Sequence, residues 1–496
     1  MQQSRALSLD ALRGLSIIGM VLSGSITFAG SLPAWMYHAQ VPPPEHRFVP
    51  TLPGITWVDL VFPFFLFSMG AAIPLAFQHR ALPETWREYL AHGRTILKRG
   101  LLLAFFAIFT QHCKVFAYST NEQAWMPHCV GLLGYALLFL TFTRFPKTLV
   151  KSAQWENILP ASGIALSAGL MIFLQYPQHP SFGMSWNPQR SDIILLVLSN
   201  VAVFGTLLWL LTRTNTLLRM GLLGFYLALR LSQNEAAFIG SWQHWFWFAT
   251  PAAWLFKVYF LQYLFIALVG TVAGELIVKA MQEQHKVAIH DETAIHDETP
   301  KALSNLALRV IIPFLFIPVN LVGLFTRELW WNFAANLALI GLGYWLFTTK
   351  NAFSPAEKLH KNLWNWGVYW LLLGLAFEVF EGGIKKDKST LSYYFLTNGL
   401  ALFLLITLHV ITEECKLWRG FQVILTSIIE CGQNPMIAYV TGGMLLLPLL
   451  GLTGLLPWYN EAFSGAWLGF LRGVLFTGLV VVITQLFTRR RIFWRT

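Results

Sequence analysis

Long apolar runs alternate with short polar segments along almost the whole 496-residue chain. A helix needs about 20 apolar residues to cross roughly 30 Å of hydrocarbon. Runs of that kind are predicted at 9–32, 55–78, 96–117, 125–143, 158–176, 192–212, 216–231, 252–279, 305–325, 329–348, 363–381, 393–412, 432–450 and 466–487. These are 14 spans, and because 216–231 and 329–348 are weakly marked the expected range is 10–14. The fold class predicted is all-α, a polytopic integral membrane helix bundle. The first run opens with Asp10 and Arg13, charges that suit a retained first helix better than a removed leader. One long polar stretch, 280–304, contains the tandem hexapeptide "AIHDETAIHDET". It reads as a solvated cytoplasmic linker. The linker would separate an N-terminal membrane bundle, 1–279, from a C-terminal bundle, 305–496.

Composition agrees with this pattern. Charged residues make up only 12% of the chain and hydrophobic ones 55%, against about 25% charged in soluble domains. The net charge of +11 would point to nucleic acid in a soluble protein. Here the distribution of the charge explains it better. With the N-terminus in the cytoplasm, 25 of the 35 Lys and Arg residues fall in inside segments, as the positive-inside rule requires. Both termini are therefore expected in the cytoplasm, His38 at the outer face, and no nucleic-acid partner. One outer loop breaks the rule: "EGGIKKDKST" carries Lys385, Lys386 and Lys388. Glu378, Glu381 and Asp387 offset them, or the loop is a basic patch for an anionic ligand.

Ionisable residues inside spans are costly and point to function. Asp59 follows "GITW" and precedes "LVFPFFLFSMG", within the first turns of the second span. It is either a first-turn charge favoured by the helix dipole or the orienting partner of a nearby histidine. His38, in "AWMYHAQ", suits a general base because imidazole titrates near neutral pH. His46 is a competitor in the same loop. Asp10 and Arg13 share a helical face as an ion pair, unless Arg13 meets a phosphate. His112-Cys113 and His128-Cys129 leave a disulfide, a metal site or neither open. Asn434-Pro435 reads as a helix start or as a ligand contact. No P-loop, GxSxG or HExxH occurs.

Three stretches, "SLDALRGLSIIGMVL", "YHA" and "GITWVDLVFPFFLFSMG", together resemble the membrane acetyltransferases typified by heparan-α-glucosaminide N-acetyltransferase and its bacterial homologues. The likeness is dense over residues 7–75 and echoes at "KSTLSYYFLTNGLA", "NPMIAYV" and "RRRIFWRT", with little to align over 145–360. The gap "QVPPPEHRFVP" is longer than in the family, Ser23, Gly24 and Ser25 stand where an asparagine is expected, and "WMPHCVGLLGY" lacks the family's arginine. The resemblance implies transfer of an acetyl group from cytoplasmic acetyl-CoA to the amine of an amino sugar at the outer side, with no metal. It makes His38 the active-site histidine and Asp59 its partner, and it places Lys388 and Asn434 at family positions, where they are expected among the residues that bind acetyl-CoA. The CoA phosphates are expected near Arg13, Arg94, Lys98 and Arg99. Direct transfer and an acetyl-histidine intermediate both remain open. A plasma-membrane location (the inner membrane in a Gram-negative bacterium) and a homodimer are further expectations. The alternative class is a transporter or permease for a sugar or related small molecule.

Overall fold

The computed structural model describes residues 6–28, 32–79, 83–115, 125–144, 153–174, 176, 186–232, 239–290, 303–349, 353–415 and 417–496. The chain is an all-α polytopic membrane protein. Among the described residues, 11 helices are long and apolar enough to cross a bilayer. Three of the fourteen predicted spans fall outside this group. The helix Ala153–Phe173 contributes only a short apolar stretch, Asn157–Phe173. Thr216–Leu231 has 16 residues and buries Arg219 and Arg230. Leu329–Thr348 buries Asn332 and Asn336, which dilute its apolar character.

The helix Leu264–His290 runs past the expected start of the linker at 280. Its last turns are polar but contain no glycine or proline to end a helix. Asp291, His296 and Asp297 of the tandem repeat lie outside the described residues.

The chain folds into two compact units, each assembled from separated stretches. One comprises 1–23, 30–82 and 265–432, the other 24–29, 83–264 and 433–496. This division replaces the expected one at 280–304. Hydropathy shows where helices are, whereas the choice of packing neighbour depends on faces of small residues. In the first unit a Cβ on Gly70 would stand 2.1 Å from the carbonyl oxygen of Ala267, so the helices Trp57–Phe77 and Leu264–His290 meet backbone to backbone.

The centre of the first unit is the helix Leu391–Glu413. Every residue from Leu391 to Leu408 is buried, as expected of a helix that is apolar all round. It packs on Pro355–Phe380, Leu303–Phe325 and Trp57–Phe77. Glu381 closes its N-terminus, its carboxylate accepting from the Leu391 and Ser392 amides at 2.7 Å each. The hairpin Leu303–Phe325/Leu329–Thr348 is joined by amide side chains. Asn320 donates to Asn336 Oδ1 at 2.8 Å, and Asn336 returns a bond to Asn320 Oδ1 at 3.1 Å. Such pairs hold apolar helices together where burial alone does not discriminate neighbours.

In the second unit the helix Trp86–Cys113 packs on Ile193–Thr212, and Trp125–Phe142 packs on Ala153–Phe173. The tail forms a two-residue strand, Phe493–Trp494, antiparallel to Thr143–Arg144. Trp494 is buried against Tyr135, Phe139 and Phe142.

Candidate functional site

The site lies wholly within the first unit and starts from one helix end. Thr56 precedes the helix Trp57–Phe77, and Asp59 is its third residue. Asp59 Oδ2 accepts the Thr56 amide at 3.0 Å, the carboxylate half of a capping box. The same oxygen accepts the Ala39 amide at 3.2 Å. Asp59 Oδ1 faces His38 Nδ1 at 2.6 Å. The two carboxylate oxygens thus divide between the helix start and the histidine. The carboxylate is nearly sealed, with a side-chain exposure of 2%, whereas the His38 side chain is 40% exposed.

Pro63 contributes from one turn further on. It has no N–H to give the carbonyl four residues back, and that carbonyl belongs to Asp59. Tyr393, from the buried central helix, donates its hydroxyl to the Asp59 carbonyl at 2.7 Å. The break in the ladder therefore anchors Asp59 to a second helix. Thr56 Oγ1 donates to the Tyr37 carbonyl at 2.6 Å and fixes the histidine loop from its other side. His46 packs edge-on against the Tyr37 ring, centroids 4.5 Å apart, and does not take His38's place at Asp59. Burial pushes the Tyr37 phenol above its usual pKa.

The third member is Lys386. Its Nζ lies 3.1 Å from His38 Nδ1, 3.4 Å from His38 Nε2 and 3.9 Å from Asp59 Oδ1. The two distances place it directly against the imidazole, within reach of both ring nitrogens. Burial holds the Lys386 ammonium below the ordinary lysine pKa, with Asp59 and Asp387 opposing the shift. Gln40 positions this loop. Its side-chain oxygen accepts the Asp387 amide at 2.8 Å, and its amide nitrogen donates to the carbonyls of Asp387 and Pro50.

Of the sequence-predicted residues, the structure brings His38 and Asp59 together. The lysine against them is Lys386, whereas Lys388 is exposed two residues further on. The loop between Glu381 and Thr390 turns through Gly382 and Gly383, both at positive φ, so a motif register does not reveal which lysine points inward. Arg13 pairs with Asp10 at 3.3 Å and donates to the carbonyls of Gly432 and Ser68, which commits it to holding helices. Asn434 belongs to the second unit. It is fully buried, donating to the Ile492 carbonyl at 2.8 Å and accepting the Trp494 amide at 3.3 Å. Its amide ties down the tail, and both ends of the group expected to meet CoA are used. Arg94, Lys98 and Arg99 are exposed on the helix Trp86–Cys113 of the second unit. Gln40, Thr56 and Tyr393 carried no sequence signal beyond their neighbourhood, whereas Lys386 was marked by its place in a basic loop on the wrong side.

All four cysteines are free thiols. Cys113 is buried onto Gly134, while Cys129 points outward on the helix Trp125–Phe142. A Cys113–Cys129 disulfide is therefore not formed. Their neighbouring histidines do not converge on a metal either. His112 Nδ1 donates to the Ile108 carbonyl at 2.8 Å, and His128 packs on Gly451.

Among the described residues, His360, His409 and Glu414 form a group with metal-ligand spacing, their donor atoms within 4.8 Å of one another. The donor set argues against an ion there. Arg309 gives one nitrogen to Glu414 and another to His360 Nδ1, both at 2.7 Å. His360 Nε2 then donates to His409 Nδ1 at 2.9 Å. Ligating histidines turn their second nitrogen to an acceptor, and here that nitrogen faces a guanidinium.

Comparison with known proteins adds a family without an activity. No curated protein matches the chain. A family model described as "Domain of unknown function (DUF5009)" matches residues 5–277, which is more than half of the 496 residues and includes both His38 and Asp59. The chain therefore belongs to the DUF5009 family, whose function is unknown.

Proposed function

We propose that the protein is a membrane acetyltransferase that moves an acetyl group from acetyl-CoA to the amine of an amino sugar. The observation that carries this reading is the His38–Asp59 couple. A sealed carboxylate holds Nδ1 of a ring that is itself accessible, the arrangement of an oriented general base. The resemblance of residues 7–75 to the heparan-α-glucosaminide N-acetyltransferase family supports the choice of substrates.

In the direct route Asp59 keeps the Nδ1–H tautomer, so Nε2 is the basic nitrogen. The acceptor amine attacks the thioester carbonyl, a C–N bond forms and the C–S bond breaks. His38 Nε2 takes the amine proton and delivers it to the departing CoA sulfur. In the two-step route His38 Nε2 attacks first, the C–S bond breaks and CoA leaves as the thiolate, with the acetylimidazolium's Nδ1–H held by Asp59. The amine then displaces the acetyl group from Nε2, a C–N bond forming as the other breaks, and its proton passes to the thiolate. Lys385, Lys386 and Lys388 supply positive charge beside either reaction.

The test is acetyl transfer by purified protein with acetyl-CoA and glucosamine. His38→Ala should lower the rate about 10²–10⁴-fold, the usual contribution of a positioned base, with unchanged thermal unfolding. Full activity in that variant would refute the assignment. Labelled acetyl retained on denatured wild-type protein and lost in the variant selects the two-step route. Sugar uptake into proteoliposomes without acetyl-CoA would favour a permease instead.

A further inference from the structure

A groove opens beside the candidate site within the same unit. Its volume is about 420 Å³, within the range of small-molecule sites. Its walls are Leu324, Leu329, Phe333, Leu372, Leu375 and Ala376, and Trp330 and Val379 at its edge are strongly exposed, at 88% and 71%. Such side chains on a membrane helix bundle face hydrocarbon. Two buried polar side chains also line it: Asn332, whose amide donates to the Val319 carbonyl at 3.1 Å, and Glu378. At the Glu378 end the carboxylate, 4% exposed, accepts from Arg327 at 2.5 Å, while Arg327 itself remains 36% exposed.

That polar end adjoins the His38 loop through two glycines. A Cβ on Gly54 would lie 3.4 Å from the Leu324 carbonyl oxygen, on the groove wall, and 3.9 Å from the Ala39 side chain, next to His38. The Gly54 amide also donates to the Ile384 carbonyl at 2.8 Å, two residues before Lys386. A Cβ on Gly383 would lie 3.3 Å from an Arg327 guanidinium nitrogen, and the Gly383 amide donates to the Glu378 carbonyl at 3.0 Å. One residue thus separates the apolar wall from the loop of the base. The loop of the lysine springs directly from the groove's polar end.

We infer that the groove holds the hydrocarbon chain of the acceptor. The acceptor is then a membrane-embedded amphiphile, an amino sugar carried on a lipid chain, with its amine at His38 and its tail along Leu324, Phe333, Leu372 and Leu375. This rests on the acetyl-transfer reading and names the substrate class for it. The order of surfaces is the order of parts in such a molecule: alkyl wall, a neutralised but accessible cation suited to sugar hydroxyls, then the base. A water-soluble amino sugar uses only the last.

The experiment compares hexadecyl glucosaminide with glucosamine as acceptors in wild-type protein and in Ala376→Trp, which fills the groove at an exposed position. A long chain concentrates in any bilayer, so the readout is the ratio of the two kcat/KM values, variant against wild type. Groove filling should lower the preference for the long-chain acceptor at least tenfold, and an unchanged preference would overturn the proposal. A second arm needs no chemistry. Hexadecyl glucosaminide with a diazirine in its chain should photolabel 324–333 and 372–379, in His38→Ala as in wild type. Displacement by a plain phospholipid as effective as by unlabelled glucosaminide would mean that the groove takes ordinary bilayer lipid, and would overturn it too. Intact, glucosaminide-selective labelling with no acetyl transfer in wild type would sustain the groove and sink the acyl-transfer reading.

Discussion

The first unit contains two clusters built from the same parts, histidine, carboxylate and cation. In one, Asp59, His38 and Lys386 meet, with the His38 ring 40% exposed. In the other, Arg309, Glu414, His360 and His409 meet, with the His360 side chain fully buried. In the second cluster the guanidinium faces both the carboxylate and an imidazole, that imidazole faces the next, and the His360 ring is sealed. In the first, Asp59 spends its oxygens on His38 Nδ1 and the helix start, and the His38 side chain remains accessible. Composition and distance would score the two alike. What separates the two clusters is access: the ring held by Asp59 can be reached, whereas the His360 ring cannot.

Substitution should divide them cleanly. His38→Ala should remove transfer activity and spare the unfolding temperature. Arg309→Ala should do the reverse. It leaves the part-buried Glu414, 12% exposed, without its counter-charge, a loss of at most about 3–5 kcal/mol, the range for a broken buried pair, read by thermal or denaturant unfolding, while the folded fraction keeps its specific activity. A stable Arg309→Ala protein, or one inactive though folded, would erase the distinction. Asp59→Asn comes next, because an amide keeps one oxygen for the Thr56 and Ala39 amides but turns its NH2 to His38 Nδ1. Loss of the correct tautomer should lower kcat by at least about 10²-fold, in line with orienting aspartates elsewhere, with little change in unfolding temperature. Tyr393→Phe tests the anchor alone. It leaves the Asp59 carbonyl beside Pro63 unpartnered, which should cost about 1–3 kcal/mol, with a smaller effect on kcat through a loosened Asp59.

The smallest expected effect is a titration. The folded-state pKa of Lys386 lies below its unfolded value of 10.5. Between the two the unfolded chain binds more protons, so stability rises with pH across that window and the contribution is lost as pH falls through the folded value. Acetylation of Lys386 by acetic anhydride, followed by peptide mass spectrometry, should show a midpoint below 10.5. A midpoint at or above that value would remove the lysine's partial burial from the description.

Much of the helical framework was legible because crossing a membrane demands runs that no other structure needs. The limits were equally physical. Leu329–Thr348 looked like a span in the sequence, yet its apolar run is interrupted by Asn332 and Asn336, which make contacts inside the bundle. The pairing of helices into units was not legible, because it rests on contacts such as Gly70 against Ala267 that hydropathy does not register. Within the site, His38 and Asp59 were legible from residue type and motif. Lys386 was visible only as one of three lysines in a loop that violated the charge rule. The choice among them came from the Gln40 clamp on Asp387, a contact across 347 residues.

That separation sets a schedule for the molecule's birth. His38 and Asp59 emerge from the ribosome within one helical hairpin, but Lys386 follows His38 by 348 residues. In the interval the whole 83–264 stretch, which belongs to the other unit, must be threaded into the membrane. The nascent chain therefore inserts its aspartate and histidine long before their cation exists, and an abandoned translation product stopping near residue 277 would carry the whole family-matched stretch with the candidate site unfinished.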